Sequence, residues 1–434
     1  MNAVISIRPA TPLSAVSDAG ATPAGTRFEV VIVGAGAAGI AVASSLKARQ
    51  PNLEVAIIDP ADTHYYQPGW TMVGAGVFDA PSTARGMASL IPAGVQWIKA
   101  AVTSVEPERN TVILDDGRPL RYGRLVMAPG LRLNWDGIEG LVETLGQHGV
   151  TSNYRYDLAP YTWDLVQKLR GGRALFTQPP MPIKCAGAPQ KAMYLSADHW
   201  RSQGVLKDIQ IDFFNAGNVL FGVKDYVPAL MAYIERYGVN LQFRHTLKRI
   251  DGPARKAWFT RIDAAGAASE VEAGFDMIHV VPPQMAPESL RTSPLGDAAG
   301  WTDVDPATLR HKRFDGIYGL GDACNAPNAK TAAAARKQAP VVAHNLLKDM
   351  EASPRDDAAY DGYGSCPLTV ERGRVVLAEF GYGGKPLPSF PRWLLDGTQP
   401  SRLAWTLKSR LLPTLYWQAM LKGREWMVKP RRAA

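Results

Sequence analysis

The chain has 434 residues, a formal net charge of +8, 46% apolar side chains and 20% charged ones. That length allows two or three domains with full cores, and the fractions are those of an ordinary soluble globular protein. Three cysteines are too few for a disulfide scaffold and fit a reducing compartment.

Residues 1–27 are small and rich in Ala, Pro, Ser and Thr, with no basic start followed by an apolar core. They read as a disordered extension, not a signal peptide, and no stretch reads as a membrane-spanning helix. The β-branched run at 28–33 predicts a buried parallel strand. It leads into GAGAAG at 34–39, a helix to about Arg49, and a strand over 53–58 that ends at Asp59. Strand, GxGxxG, helix, strand, acid is the full context of a dinucleotide site. Gly34 permits the turn, Gly36 lets the backbone approach a pyrophosphate, and Gly39 allows close helix packing. Ala37 and Ala38 open the helix whose dipole favours phosphate, and Asp59 can accept from ribose hydroxyls. The alternative is a glycine-rich turn in an unrelated α/β unit.

Two later segments favour FAD as the dinucleotide. A strand over 125–128 ends in Pro129-Gly130, and another over 317–320 ends in Gly321-Asp322, ahead of a helix from about Thr331. In two-dinucleotide flavoproteins such an Asp binds the ribityl chain. The next helix aims its positive end at the flavin. Lys330 lies at that entrance, as an added positive charge or as an ordinary surface lysine.

Mid-chain, a strand over 173–177 occupies the place where NADH-using enzymes carry a second GxGxxG. The strand runs into QPPMPIKCAGAPQK at 178–191. The three prolines at 179, 180 and 182 cannot offer the N–H groups that a pyrophosphate needs, so no nicotinamide site is expected. A helix over 190–200 comes next. Cys185 therefore sits shortly before a helix start with Lys184 and Lys191 close by, a setting that lowers a thiol pKa. Cys366 lies far downstream in YGSCP and Cys324 lies in GDACN. None is in CxxC, and no metal site is implied. Each can also be a buried small hydrophobe, the reading kept for Cys324.

The excess charge is concentrated at the end: residues 401–434 hold eight cations against one carboxylate, Glu425. Residues 401–423 read as two short amphipathic helices. Leu403, Leu407 and Leu411 share one face, Pro413 opens the second helix, and Leu412, Tyr416 and Met420 line it. Trp405 and Trp417 are available as interfacial anchors. A monotopic membrane attachment is preferred to helices packed on the protein's own core, a solvated tail, or nucleic-acid binding.

Several strings together resemble the sulfide:quinone oxidoreductases, and closely the branch that includes the mitochondrial enzyme. They are HYYQPGWT (64–71), NWDGIEGL (134–141), KCAGAPQK (184–191), FGVKDY (221–226), HVVPP (279–283), NAKTAAAARKQAP (328–340), YDGYGSCPL (360–368), VVLAEF (375–380) and LLPTLYW (411–417). The resemblance implies that Cys185 and Cys366 are the redox pair, bridged on one face of FAD. Sulfide attacks the bridge, a persulfide stays on Cys185, and Cys366 is freed to pass two electrons to the flavin. The sulfane sulfur leaves to a small thiol, sulfite or sulfide. The electrons leave to a ubiquinone-type quinone. Gln67, Val102, Asp322 and Lys330 fall at flavin-contact positions, and Phe380 and Lys408 at positions near the quinone.

The expected architecture is α/β: two Rossmann-like dinucleotide-binding domains, the second without an NAD site, plus a C-terminal amphipathic membrane-binding region. In chain order these are an FAD domain at 28–150, the second Rossmann-like domain with the first redox cysteine at 151–285, and a return to the FAD domain at 286–350. Residues 351–434 carry the second cysteine, the quinone site and the anchoring helices. The expected enzyme is peripheral on the inner membrane, at the cytoplasmic face, free of nucleic acid and open to homo-oligomer formation. The rival readings are an NADH:quinone oxidoreductase, a flavocytochrome-type sulfide dehydrogenase, and a flavin-binding sulfide sensor or persulfide carrier.

Overall fold

A computed structural model describes residues 26–328, 330–351 and 357–432. The extension expected over 1–27 lies outside the described residues up to position 25, and Arg27 already belongs to the first strand.

The strand Arg27–Val33 lies at the centre of a seven-stranded sheet. Its neighbours are Val55–Ile58 on one side and Pro119–Met127 on the other, both parallel to it. Val95–Ile98 extends one edge, while Thr111–Leu114 and Val102–Glu106 extend the other in antiparallel register. Val30, Val31 and Ile32 are fully buried, which is why this strand reads as a continuous apolar run instead of an alternation. Helices Ala37–Arg49 and Ala332–Met350 share one core on this sheet. The short strand Ile317–Gly319 pairs in parallel with Pro119–Met127, so a segment almost 300 residues downstream enters the first dinucleotide unit.

A second sheet is wholly parallel. Its order is Val150–Thr151, Met277–His279, Gly172–Gln178, Ile209–Asn215, Asn240–Phe243. The three antiparallel strands His245–Asp251, Lys256–Ile262 and Ala268–Gly274 form a separate small sheet. The hairpin Gly364–Glu371/Arg374–Phe380 packs on helix Ala188–Ser202, and Cys366, Leu368, Val370 and Ala378 share a core with Met193 and Ala197. Most predicted elements stand close to their expected positions.

The tail differs from expectation. It forms one helical run, not two helices: an α segment Arg402–Thr406, a π turn Leu407–Leu411, and an α segment Leu412–Gln418. Ser401 caps its start by accepting from the N–H groups of Leu403 and Ala404. Pro413 has no N–H, and its ring crowds the carbonyl four residues back; the wider π turn just before it, closed from Leu412 N–H to the Leu407 carbonyl, makes room. Leu403 and Leu411 are half exposed and Lys408 is buried. Tyr416, Trp417 and Met420, expected on the membrane side, are buried in the core with helix Ala37–Arg49. Among the described residues no helix is long and apolar enough to cross a membrane.

Candidate active site

The glycine-rich loop has the form a dinucleotide needs. Gly34 has φ +97°, and a Cβ there would strike the Ala128 carbonyl; a Cβ on Gly39 would strike the carbonyl of Gly34. Gly36 is the opposite case, because a Cβ there would meet nothing within 4 Å. That open space lies at the start of helix Ala37–Arg49, where no side chain caps the N–H groups and no acid occupies the first turn. A phosphate fits there. Asp59 stands beside the loop, accepting from Ala35 N–H at 2.7 Å and Ala61 N–H at 2.9 Å. Val102 opens its strand shortly after Ile98, whose carbonyl accepts from Asp59 N–H.

The turn Gly321–Ala323 docks on this loop: a Cβ on Gly321 would lie 2.8 Å from that of Ala38. Asp322 is thereby held at the dinucleotide unit, and burial raises its pKa against the pull of Lys184 and Lys330. Lys330 is at the same entrance, but its ammonium is engaged. It donates to the carbonyls of Asp322 at 2.7 Å and Cys324 at 3.2 Å and lies 3.5 Å from the Trp301 ring centre. Cys324 is buried, its pKa pushed up to about 11 by burial; it keeps the bland reading.

Cys185 and Cys366 come together, their sulfurs 3.7 Å apart. Three constraints produce this. Cys185 has φ +53°, an uncommon left-handed conformation for a residue with a side chain. Its N–H is bound to the Lys330 carbonyl at 3.0 Å and its carbonyl accepts from Ala188 N–H at 2.7 Å. Cys366 is placed by the hairpin, opposite Ala378. Gly187 lets the two elements touch, since a Cβ there would lie 2.5 Å from the Cys366 sulfur.

The electrostatics of the pair are unequal. The Cys366 thiol and then the Lys191 ammonium, 3.1 Å from the Cys185 sulfur, hold the Cys185 pKa well below the ordinary thiol range. The Cys366 pKa is raised by donation to Cys185 and by burial. Burial alone would depress Lys191, but the sulfur charge outweighs it and its pKa rises to about 12.

Around the pair, Lys184 donates to Gln67 Oε1 at 2.5 Å, so the expected contact residue Gln67 lies beside the cysteine loop. Lys408 is buried and donates to the Pro68 carbonyl at 2.9 Å. Burial and the charge of Lys191 bring its pKa down to about 7. Phe380 lies across from Gly364 on the hairpin, its ring edge-on to Phe221. Sequence reading did not single out Tyr154, which donates to the Lys184 carbonyl at 3.1 Å. His64, the first residue of the HYYQPGWT string, was assigned no contacts; its ring bridges the Ala35 carbonyl and the Tyr416 hydroxyl. The partners of both residues are far off in sequence, which no local pattern reveals.

The family model for the pyridine nucleotide-disulphide oxidoreductases matches residues 28–164. The mitochondrial sulfide:quinone oxidoreductase of Dictyostelium discoideum is 41% identical over 405 residues, covering 92% of this chain and 87% of that one. The chain belongs to the sulfide:quinone oxidoreductase family. The mitochondrial sulfide:quinone oxidoreductase of Mus musculus is 39% identical over 91% of this chain and 87% of its own. The X-ray structure of the sulfide:quinone oxidoreductase from Aquifex aeolicus superposes with a TM-score of 0.75 at 19% identity, over 92% of each chain, and shares the fold. The segment between strand Gly172–Gln178 and helix Ala188–Ser202 carries Cys185.

Proposed function

We propose that this chain oxidises sulfide at Cys185 and Cys366 and delivers two electrons through FAD to a quinone, as a peripheral membrane enzyme. The observation that carries the reading is the 3.7 Å approach of two sulfurs from opposite halves of the chain, beside a glycine loop open at Gly36. Gly34, Gly36, Ala37, Ala38 and Gly39 would hold the FAD pyrophosphate and Asp59 its ribose, with Gln67, Val102, Asp322 and Lys330 as the other contacts. A bound flavin accepts two electrons from the sulfur chemistry and yields them to the quinone.

In the oxidised enzyme a bridge joins the two sulfurs. Hydrosulfide attacks one sulfur of the bridge; a new S–S bond forms, the bridge breaks, and the other cysteine leaves as thiolate. Sulfide is thereby oxidised to sulfane sulfur, which passes to a small thiol, sulfite or sulfide. The sequence expectation keeps the persulfide on Cys185 and frees Cys366. Lys191 favours the reverse, because a thiolate leaves more readily from the position of lower pKa, and the ammonium lies at Cys185. Mapping the persulfide by mass spectrometry after one sulfide addition decides between the two. Phe380 and Lys408 are proposed to face the quinone.

The test is anaerobic titration of the flavin-loaded protein. Sulfide should bleach the flavin and a short-chain quinone should restore it. Sulfide-dependent quinone reduction that survives both Cys185→Ser and Cys366→Ser would rule the reading out. Sedimentation tests a homo-oligomer, and protease access in sealed vesicles tests the cytoplasmic face.

A further inference from the structure

The structure leaves one large aromatic almost fully in solvent. Trp393 is 85% exposed, the adjacent Leu394 48%, and Leu403 and Leu411 on the terminal helical run 49% and 52%. These four are not scattered. The loop 388–396 and the helix share a small core, in which Leu395 and Ala404 are buried with Val375 and Leu377, and Phe390, Trp405 and Leu407 pack against it. Ser389 fastens the base of the loop by donating to the buried Glu379 carboxylate through its N–H at 3.1 Å and its hydroxyl at 2.5 Å. Arg392 and Asp396 pair across its turn at 3.1 Å. A loop so held presents Trp393 and Leu394 by construction, not by looseness.

The charge along this edge is predominantly positive. Lys385, Arg392, Arg402 and Arg410 are exposed, and Asp396 is the one carboxylate between 385 and 411. Exposed apolar tips ringed by cations suit the headgroup region of an anionic bilayer.

We propose that the Trp393–Leu394 loop, together with Leu403 and Leu411, is the surface that inserts into an anionic lipid bilayer, and that Tyr416, Trp417 and Met420 take no part. This rests on the membrane attachment proposed above and names the side chains that make it. Insertion here brings the strand Arg374–Phe380, which leads into the loop, to the lipid surface.

The test is flotation of the full-length flavoprotein with phosphatidylcholine vesicles containing phosphatidylglycerol. Wild type should float, and the double variant Trp393→Ser/Leu394→Ser should lose vesicle affinity by about tenfold or more while its turnover with a soluble short-chain quinone stays at the wild-type level. Leu403→Ser/Leu411→Ser should act in the same direction. In bilayers of brominated lipid, Trp393→Phe should remove most of the tryptophan quenching. Wild-type protein that does not float would refute membrane attachment itself, and this surface with it. Wild type that floats, with Trp393→Ser/Leu394→Ser floating equally, would refute this surface alone. Quenching unaltered in Trp393→Phe would do the same. A lipid-free dimer that dissociates in Trp393→Ser/Leu394→Ser would make the partner a second copy of the chain and overturn the lipid assignment.

Discussion

Lys191, inside the helix Ala188–Ser202, reaches back to within 3.1 Å of the Cys185 sulfur, which lies just before that helix. Lys191 is buried and Cys185 partly so, so their mutual stabilisation is only partly screened. The thiol pKa is held well below the ordinary thiol range and the ammonium pKa is raised to about 12.

Removing that charge should therefore be visible as a titration. In Lys191→Met the Cys185 thiol should ionise at higher pH, toward the ordinary value of about 8.5. Alkylation of Cys185 in the reduced protein at pH 7 should slow by about tenfold or more, since each pKa unit is about 1.4 kcal/mol. An alkylation profile identical to wild type would remove Lys191 from the account.

Gly187→Ala addresses packing in place of charge. The added methyl would lie 2.5 Å from both the Cys366 sulfur and the Leu368 side chain. Overpacking of this kind costs about 1–3 kcal/mol, and it should separate the thiol pair. Sulfide-dependent bleaching should fall at least about tenfold, while flavin content stays normal. Bleaching at the wild-type rate would show that the close approach is not needed.

Two glycines of one loop should fail differently. Gly36→Val projects into open space, so the protein should fold with a wild-type melting temperature when stripped of flavin, yet bind little flavin by its visible absorbance. Gly39→Val meets the Gly34 carbonyl and should lower the melting temperature of the stripped protein. Equal melting temperatures for the two variants would contradict this division.

Lys408 carries a pH signature with a definite sign. Its folded pKa of about 7 lies below the ordinary value of 10.5, so the unfolded chain binds more protons between those limits. Stability should rise with pH across that window. The penalty of the buried ammonium is complete below pH 7 and gone above 10.5. Lys408→Met should thus be more stable than wild type by at least about 1 kcal/mol at pH 6.5, with the gap closing by pH 10. Denaturant unfolding at several pH values checks this, and a pH-independent gap would argue against it.

Arg310 is held between Asp349 at 2.8 Å and Asp357 at 2.6 Å, all three largely buried. Arg310→Met leaves two carboxylates without their cation and should cost about 3–5 kcal/mol, read as a lowered melting temperature.

Much of this molecule was legible from local pattern. The GxGxxG loop, its flanking strands and Asp59 are contiguous, and their chemistry depends on neighbours a few residues away. The shortage of N–H groups in the proline-rich turn at 178–182 is likewise legible, because a missing N–H is a property of the residue itself. The tail was misread for the converse reason. Leu412, Tyr416 and Met420 are apolar whether they face lipid or a core, and periodicity cannot tell which. Within the run Lys408 is buried on the same side as Ala404, while Leu403 and Leu411 are half exposed.

Residue type and spacing sufficed to establish a dinucleotide-type unit, because it is a short-range feature, and to single out Cys185 and Cys366 as candidates. The pairing of those cysteines, the unequal charge on their sulfurs and the exposed edge at Trp393 were decided in three dimensions. Cys185 and Cys366 are 181 residues apart, and only the packing of a hairpin on a helix, allowed by the missing side chain of Gly187, brings them into contact.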